Sequence, residues 1–213
     1  VHNLHGRAEQ FDVEDACILK HFESLTCERF GVDSNRNIIS LVCGNVALER
    51  GNASLLELGI QDGVVLQLVK RRRKRVLTAS HDHTAKIWDA STGECKLTMA
   101  GHKSVVRSAV FSPDGTCVVT ASGDGTAKIW DSNTGECKLT LAGHKSMVCS
   151  VFSPDVCSAV FSPDGTCVVT AFGNGTAKVW DGSTGECKLT LACHKKIVRS
   201  AAFSPDGTCV ITA

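Results

Sequence analysis

The sequence predicts a two-part chain, in which a small α+β domain precedes an all-β array of repeated antiparallel sheets. A segment that reads KIWDASTGECKLTMAGHKSVVRSAVFSPDGTCVVTAS from Lys86 returns in near-copies from Lys128 and Lys178. No such repeat occurs in the first 75 residues, where helix-like and strand-like segments alternate. We therefore place the α+β domain at 1–69, a basic linker at 70–75 and the repeats at 76–213.

The first domain has the element order strand, helix, strand, short helix, strand. Asp15 suits a helix N-cap, apolar residues recur on one face of 16–30, and Gly31 suits the C-terminal stop. The segments 38–43 and 64–70 are rich in β-branched and other apolar residues, which predicts two strands. The apolar segment 54–60 between them predicts a short helix.

The linker carries six consecutive basic residues, whereas residues 1–69 hold five basic and ten acidic ones. A solvated connection between two folded modules explains such a run. A nuclear localisation signal or a patch for an anionic partner explains it as well.

Each repeat predicts four short strands. In the best-preserved copy these are 105–111, 117–122, 126–131 and 136–142. The Ser-Pro-Asp-Gly turn at 112–115 separates the first two strands, because proline presets φ and glycine permits the positive φ that closes the turn. A Gly-Asp-Gly hairpin and a Ser-Asn-Thr-Gly turn separate the others.

The markers of the repeat recur at a constant distance. Trp88 and Trp130 are 42 residues apart, as are Phe161 and Phe203, and each unit has a Trp-Asp pair and a Gly-His or its variant. This pattern resembles the WD-repeat family, whose units of about 40–45 residues are the blades of a β-propeller. The resemblance covers residues 76–213 and implies an incomplete propeller of about three blades.

The resemblance also implies a hydrogen-bonded set of His, Ser or Thr, Asp and Trp in each blade. One unit has every member, whereas others lack a Gly-His or carry Asn174 and Phe172 at positions of the set. An amide accepts a hydrogen bond without the charge that strengthens it, so the blade with Asn174 is expected to be looser. The expected members are His102, Thr120 (or Ser122), Asp124 and Trp130; Thr78, Asp82 and Trp88; and His144, Thr170 and Trp180.

One unit contains an eight-residue duplication at about 148–156, which stretches the distance from Trp130 to Trp180 to 50 residues. The second copy keeps the spacing to the strands that follow it. We therefore expect Ala159–Ser162 to lie in the sheet and the first copy to bulge or loop out.

The repeats amount to a partial unit, two full units and a fourth with two strands. Closed propellers use about 4–8 blades, and open edges must be capped or paired. The expectation is a fragment of a longer product, or an open arc that self-associates through its edges.

The first domain resembles ubiquitin in its element order and in two stretches, LHGRAEQFDVE from Leu4 and ISLVCGNVALERGNASLLELGIQDGVVLQLV from Ile39. The resemblance implies a β-grasp fold and a surface patch. The patch positions are Leu4, Leu41, Gln67 and Val69. Because the chain runs through Arg71-Arg72-Arg73-Lys74-Arg75 into the repeats, without a Gly-Gly end, the domain is expected to be built in and not conjugatable.

Several classes of function find no support in the sequence. It has no nucleophile elbow, phosphate loop or metal-binding helix, and no apolar run that could span a membrane. The net charge of +1 gives no sign of a nucleic-acid surface. The sequence has twelve cysteines, of which six recur after Gly-Glu or Gly-Thr in the repeats, and it has no C-x-x-C; this usage suits an intracellular protein.

The expectation is therefore a non-enzymatic scaffold without cofactor or metal, cytoplasmic or alternatively nuclear, that binds proteins and neither membranes nor specific nucleic acid. One alternative is a ubiquitin-pathway adaptor that links a substrate to proteasome or ligase machinery. Another is a fragment of a larger WD-repeat signalling protein with a regulatory NTPase domain.

Overall fold

The computed structural model describes residues 19–30, 37–43, 46–48, 54–55, 57–58, 60, 66–72, 74–142, 156–192 and 194–213. These residues fall into two compact units that meet at the Lys74–Arg75 bond. The predicted boundaries place this bond inside the basic linker.

In the N-terminal unit, a helix and a three-stranded antiparallel sheet surround one small core. The sheet order is β2-β1-β3, and the core contains Phe22 from the helix, Leu41 and Leu66 from the sheet, and Leu55. The elements are α1 (Leu19–Phe30), β1 (Asn37–Cys43), β2 (Val46–Ala47) and β3 (Leu66–Arg72).

The predicted helix and the strands predicted at 38–43 and 64–70 are present with shifted ends, and the first predicted strand lies outside the described residues. Helix α1 ends at Phe30 as expected, whereas the proposed N-cap Asp15 lies outside the described residues. The predicted short helix is a single turn, in which the Ser54 amide donates to the Glu57 carboxylate and the Glu57 amide donates to the Ser54 hydroxyl. This reciprocal pair is a capping box, which satisfies the amides that begin a helical turn.

The prediction of a basic linker at 70–75 is wrong. Strand β3 continues to Arg72, and Lys70 and Arg71 pair with Ile39 and Ile38 of β1. Arg75 is already the first residue of a strand of the second unit. A run of charged side chains predicted a solvated linker. The hydrogen bonds between strands come from the backbone, however, and a charged side chain does not prevent them.

The second unit is built from successive antiparallel sheets, which we call the first to fourth blades. The first blade has three strands, the second and third have four each, and the fourth has two. The strands are β4 (Arg75–Ala79), β5 (Thr84–Asp89) and β6 (Cys95–Ala100); β7 (Val106–Phe111), β8 (Cys117–Ser122), β9 (Ala127–Asp131) and β10 (Cys137–Leu141); β11 (Val156–Phe161), β12 (Cys167–Phe172), β13 (Ala177–Asp181) and β14 (Cys187–Leu191); and β15 (Ala201–Phe203) and β16 (Val210–Thr212).

Apolar side chains of neighbouring blades pack face to face. Ile87 and Met99 of the first blade share a cluster with Val118 and Trp130 of the second. Similar clusters join the second blade to the third and the third to the fourth. Alternation along each strand sends every second residue into these clusters, so the core lies between blades.

The eight-residue duplication is accommodated as expected for its second copy. Strand β11 pairs with β12 through Ala159 opposite Thr170 and Phe161 opposite Val168, and the Ser162 amide bonds the Cys167 carbonyl. The first copy lies outside the described residues.

Candidate functional site

The second blade brings all four predicted members of its polar set together. The Nδ1 atom of His102 lies 2.9 Å from an Asp124 carboxylate oxygen, and its Nε2 lies 2.7 Å from the Thr120 hydroxyl. Trp130 Nε1 donates to the same hydroxyl at 2.8 Å. Thr120 is the member that takes part, whereas the Ser122 hydroxyl donates to the Ser104 carbonyl.

These contacts favour a neutral His102. With the proton on Nδ1, the ring donates to Asp124 and accepts the Thr120 proton at Nε2, so that every polar atom has a partner. Burial lowers the pKa of His102, and this effect outweighs the opposing hydrogen bond and charge of Asp124. Burial acts to raise the pKa of Asp124, but hydrogen bonds from Thr126, the Lys103 amide and His102 outweigh it and lower this pKa to about 2.

The set cannot act as an acid–base pair on a substrate. The His102 side chain is 1% exposed, Thr120 and Trp130 are buried, and each ring nitrogen already has a partner. A general base must come within hydrogen-bond reach of the proton that it removes. The arrangement therefore ties strands β8 and β9 to the segment that precedes β7.

In the first blade, Trp88 donates to Thr78 at 2.8 Å, the same length as in the second. Here, however, Thr78 is exposed. Asp82 accepts from the amide and hydroxyl of Thr84, and it therefore caps its own turn.

In the third blade, Trp180 donates to Thr170 at 2.7 Å in a buried position. Asn174 accepts from the amide and hydroxyl of Thr176, as Asp124 does from Thr126. His144 lies outside the described residues, so the set of this blade is described only in part.

The fourth blade contains a pair that was not among the predicted site residues. His194 Nε2 lies 2.7 Å from the Thr212 hydroxyl. The two residues are 18 positions apart, like His102 and Thr120. The signal was present in the sequence, because Cys193-His194 is the variant of the Gly-His marker in this unit.

Aspartates cap the turns at the opposite end of the strands. Asp131 and Asp181 accept from the backbone of their own turns and form ion pairs with Lys138 and Lys188, each at 2.8 Å. The hydrogen bond from Lys138 is the largest cause that lowers the pKa of Asp131 to about 2. These carboxylates have structural roles.

Arg75 has a role that was not predicted, since it joins two blades. Its guanidinium donates to the Gly115 carbonyl at 2.8 Å and contacts Ser132 at 3.3 Å, and it lies 4.7 Å from the centre of the Phe111 ring. In the sequence it is only the last member of a basic run, and no local pattern distinguishes it.

The predicted patch of the N-terminal unit fails at Leu41, which is 0% exposed. Directly paired residues share a face of a sheet. Gln67 and Val69 pair with Val42 and Ser40, whereas Leu41 pairs with Leu68. Leu41 therefore lies on the other face of the sheet from positions 67 and 69. Leu4 lies outside the described residues.

The described part of the chain contains no group of three or more His, Cys, Asp or Glu residues arranged to hold a metal ion. None of the helices among the described residues is long and apolar enough to cross a membrane.

The chain matches the family model "WD domain, G-beta repeat" over residues 68–89, 93–131, 135–181 and 185–213. It is 48% identical over 40 residues to nuclear distribution protein PAC1 of Mycosarcoma maydis, which covers 19% of this chain and 9% of that protein. It is also 48% identical over 40 residues to the Lissencephaly-1 homolog of Branchiostoma floridae, and this match covers 19% of this chain and 10% of that protein. The chain is 53% identical over 38 residues to nuclear distribution protein PAC1 of Arthroderma benhamiae, and this match covers 18% of this chain and 8% of that protein. The matched region is thus no more than a tenth of the length of these relatives.

Proposed function

Because the chain belongs to the WD40 family, we propose that it is a non-catalytic scaffold for protein–protein interaction. The observation that carries this proposal is the second blade, whose His102, Thr120, Asp124 and Trp130 use their polar atoms on one another in the interior. The residues that remain for external contacts are those of the exposed turns and edge strands. Exposed turns on a rigid scaffold act by presenting side chains to a partner.

The N-terminal unit is proposed to be a built-in ubiquitin-like module. Its element order, its sheet order β2-β1-β3 and its core between α1 and the sheet support this proposal. Strand β3 ends at Arg72, three residues before β4 begins, which supports a module that is not conjugated through a free tail. The surface patch around Leu41 is not part of the proposal.

A ubiquitin-pathway adaptor remains the second candidate, since a ubiquitin-like module would supply the link to proteasome or ligase machinery. We expect this function to require retention of the full chain by an immobilised ubiquitin-receptor domain. Excess free ubiquitin should compete for the receptor domain and reduce the retained chain. If it does not, the adaptor function is contradicted.

The scaffold proposal is tested by photo-cross-linking with the full chain. A photoreactive residue is placed at Thr92 or His81, which are exposed turn positions at opposite ends of the first blade, or at buried Val118 as a control. We expect protein adducts of discrete mass from at least one exposed position. Excess unmodified chain should suppress them, and the Val118 control should give none.

Adducts that excess unmodified chain does not suppress, or their absence at every exposed position, would contradict the scaffold function.

A further inference from the structure

The two ends of the blades differ in charge. One end, which we call the turn end, consists of the β7–β8 and β9–β10 turns and their equivalents in the other blades. Its charged residues among those described are nine acidic and four basic ones. They are Asp89, Glu94, Asp114, Asp131, Glu136, Asp164, Asp181, Glu186 and Asp206, with Arg75, Lys96, Lys138 and Lys188.

The other end, which we call the loop end, consists of the segments that connect successive blades, the start of β7, and the β8–β9 turn with its equivalents. Its described acidic residues are Asp82 and Asp124. Both already accept hydrogen bonds within their own blade. The basic residues of this end are Lys103, Arg107, Lys195, Lys196 and Arg199, all exposed.

Backbone hydrogen bonds between elements show that the blades share one orientation. The Val106 amide of the second blade donates to the Ser80 carbonyl of the first, and the Val198 amide donates to the Phe172 carbonyl of the third. Both bonds lie at the loop end. At the turn end, Gly165 lies beside Pro113 and Gly207 beside Pro163. Equivalent turns of the described blades therefore lie at the same end of the array.

Two arginines of the loop end stand at irregularities in the ladder. The register between β7 and β8 shifts between Val106 and Ser108, on either side of Arg107. In the fourth blade, the amides of Arg199 and Ser200 both donate to the Ala213 carbonyl. A bulge places two residues opposite one and redirects a side chain. The same irregularity thus recurs beneath an exposed arginine in two blades.

We propose that the loop end binds an acidic segment of a partner protein. This inference rests on the proposed scaffold function and names the chemistry of its partner. A surface with an excess of positive charge attracts a segment of the opposite sign and speeds its association at low salt. Ile197, which is 43% exposed beside Lys196, supplies an apolar contact for that segment.

A peptide fits this surface better than a nucleic acid does. Single strands bind through aromatic side chains on which bases stack, in addition to positive charge. Within its described residues, the loop end presents no exposed Phe or Trp: Phe172 and Trp130 are buried. Lysine side chains next to an exposed isoleucine suit carboxylates interspersed with apolar residues.

The test measures binding of a fluorescein-labelled peptide of twelve glutamates to the full chain by anisotropy, at low and at physiological salt. The K195E/K196E variant reverses two charges at the loop end, and the matched K138E/K188E variant reverses two at the turn end, where the lysine side chains are 46% and 48% exposed. We expect affinity to fall more than tenfold in the first and less than threefold in the second. A K195Q/K196Q variant gives a second measurement if reversal disturbs the fold.

Equal losses of peptide affinity in the two charge-reversal variants, or no peptide binding to the unmodified chain at low salt, would overturn the inference. Tighter binding of a twelve-residue thymidine oligonucleotide, lost in the same variant, would assign the surface to nucleic acid and also overturn it. Suppressible cross-linked adducts without peptide binding would leave the scaffold function standing and remove this inference alone. Absence of both the adducts and the peptide binding would contradict the scaffold function and this inference together.

Discussion

The first and second blades contain the same tryptophan–threonine hydrogen bond in opposite surroundings. Trp88 donates to Thr78, and Trp130 donates to Thr120, both at 2.8 Å. Thr78 is exposed, whereas Thr120 is fully buried and also contacts His102. An unpaired polar group costs free energy mainly where water cannot replace its partner. The length of a hydrogen bond therefore does not reveal its importance, and burial does.

The two blades also differ opposite the capping aspartate. Cys117 pairs with Asp131 in the second blade, whereas Arg75 pairs with Asp89 in the first. In the second blade, Lys138 bonds Asp131; the equivalent lysine of the first blade, Lys96, bonds Glu94 at 2.6 Å. Repeats of nearly identical sequence thus distribute their charges differently when one neighbour changes.

The largest expected effect comes from removing the shared hydroxyl. Thr120→Val leaves Trp130 Nε1 and His102 Nε2 buried without a partner, and we expect the free energy of unfolding to fall by about 3 kcal/mol. The matched Thr78→Val change should cost about 0.5 kcal/mol or less, because water replaces the lost partner. Urea unfolding followed by circular dichroism measures both. Equal losses would show that burial does not distinguish the blades.

Arg75→Met should have the next largest effect. The change removes hydrogen bonds from a guanidinium to Gly115 and Ser132 of the neighbouring blade, and we expect a loss of about 2 kcal/mol. Lys138→Met is the control, since an exposed ion pair contributes about 0.5 kcal/mol. The same urea experiment compares them, and a larger loss for Lys138→Met would refute the role given to Arg75.

A smaller effect is expected at the hairpin turn. His83 has a φ of 71°, where the second blade has Gly125 at 80°. A positive φ costs a residue with a Cβ about 1 kcal/mol. Glycine avoids this cost, but it loses more backbone entropy on folding, which offsets part of the gain. His83→Gly should therefore stabilise the chain by about 0.5 kcal/mol, and Gly125→Ala should destabilise it by about 1 kcal/mol. Thermal unfolding gives the sign, and destabilisation by His83→Gly would contradict the expectation.

The pH dependence should be the smallest effect. Burial lowers the pKa of His102 below 6.5 in the folded chain, so below about pH 6.5 the unfolded chain binds a proton that the folded chain does not. The contribution of His102 to stability is then complete above this pH and declines as pH falls. His102→Asn should reduce the slope of stability against pH between 6.5 and 5, whereas Thr78→Val, which changes no titratable group, should retain it. An unchanged slope in His102→Asn would show that His102 is not its source.

Local patterns were sufficient to predict the blades. Asp-Gly turns and alternating strands such as 126–131 depend on neighbours within a few residues, so the sequence shows them directly. The set of His102, Thr120, Asp124 and Trp130 was expected from the resemblance to WD repeats. The linker at 70–75 and the patch at Leu41 were wrong because the pairing partner of a strand lies far away in the sequence, and a shift of one position reverses the face.

The sequence by itself determined the number of strands in each repeat, their turns, and the position of the duplicated segment that enters the sheet. These features follow from local backbone preferences and from the two-residue period of a strand. The tertiary structure alone decided which of two equal hydrogen bonds is buried, that Arg75 joins two blades, and that charges alternating along the sequence separate to opposite ends. The physical reason is that burial and electrostatic potential depend on distances between residues that only the packing of the blades brings together.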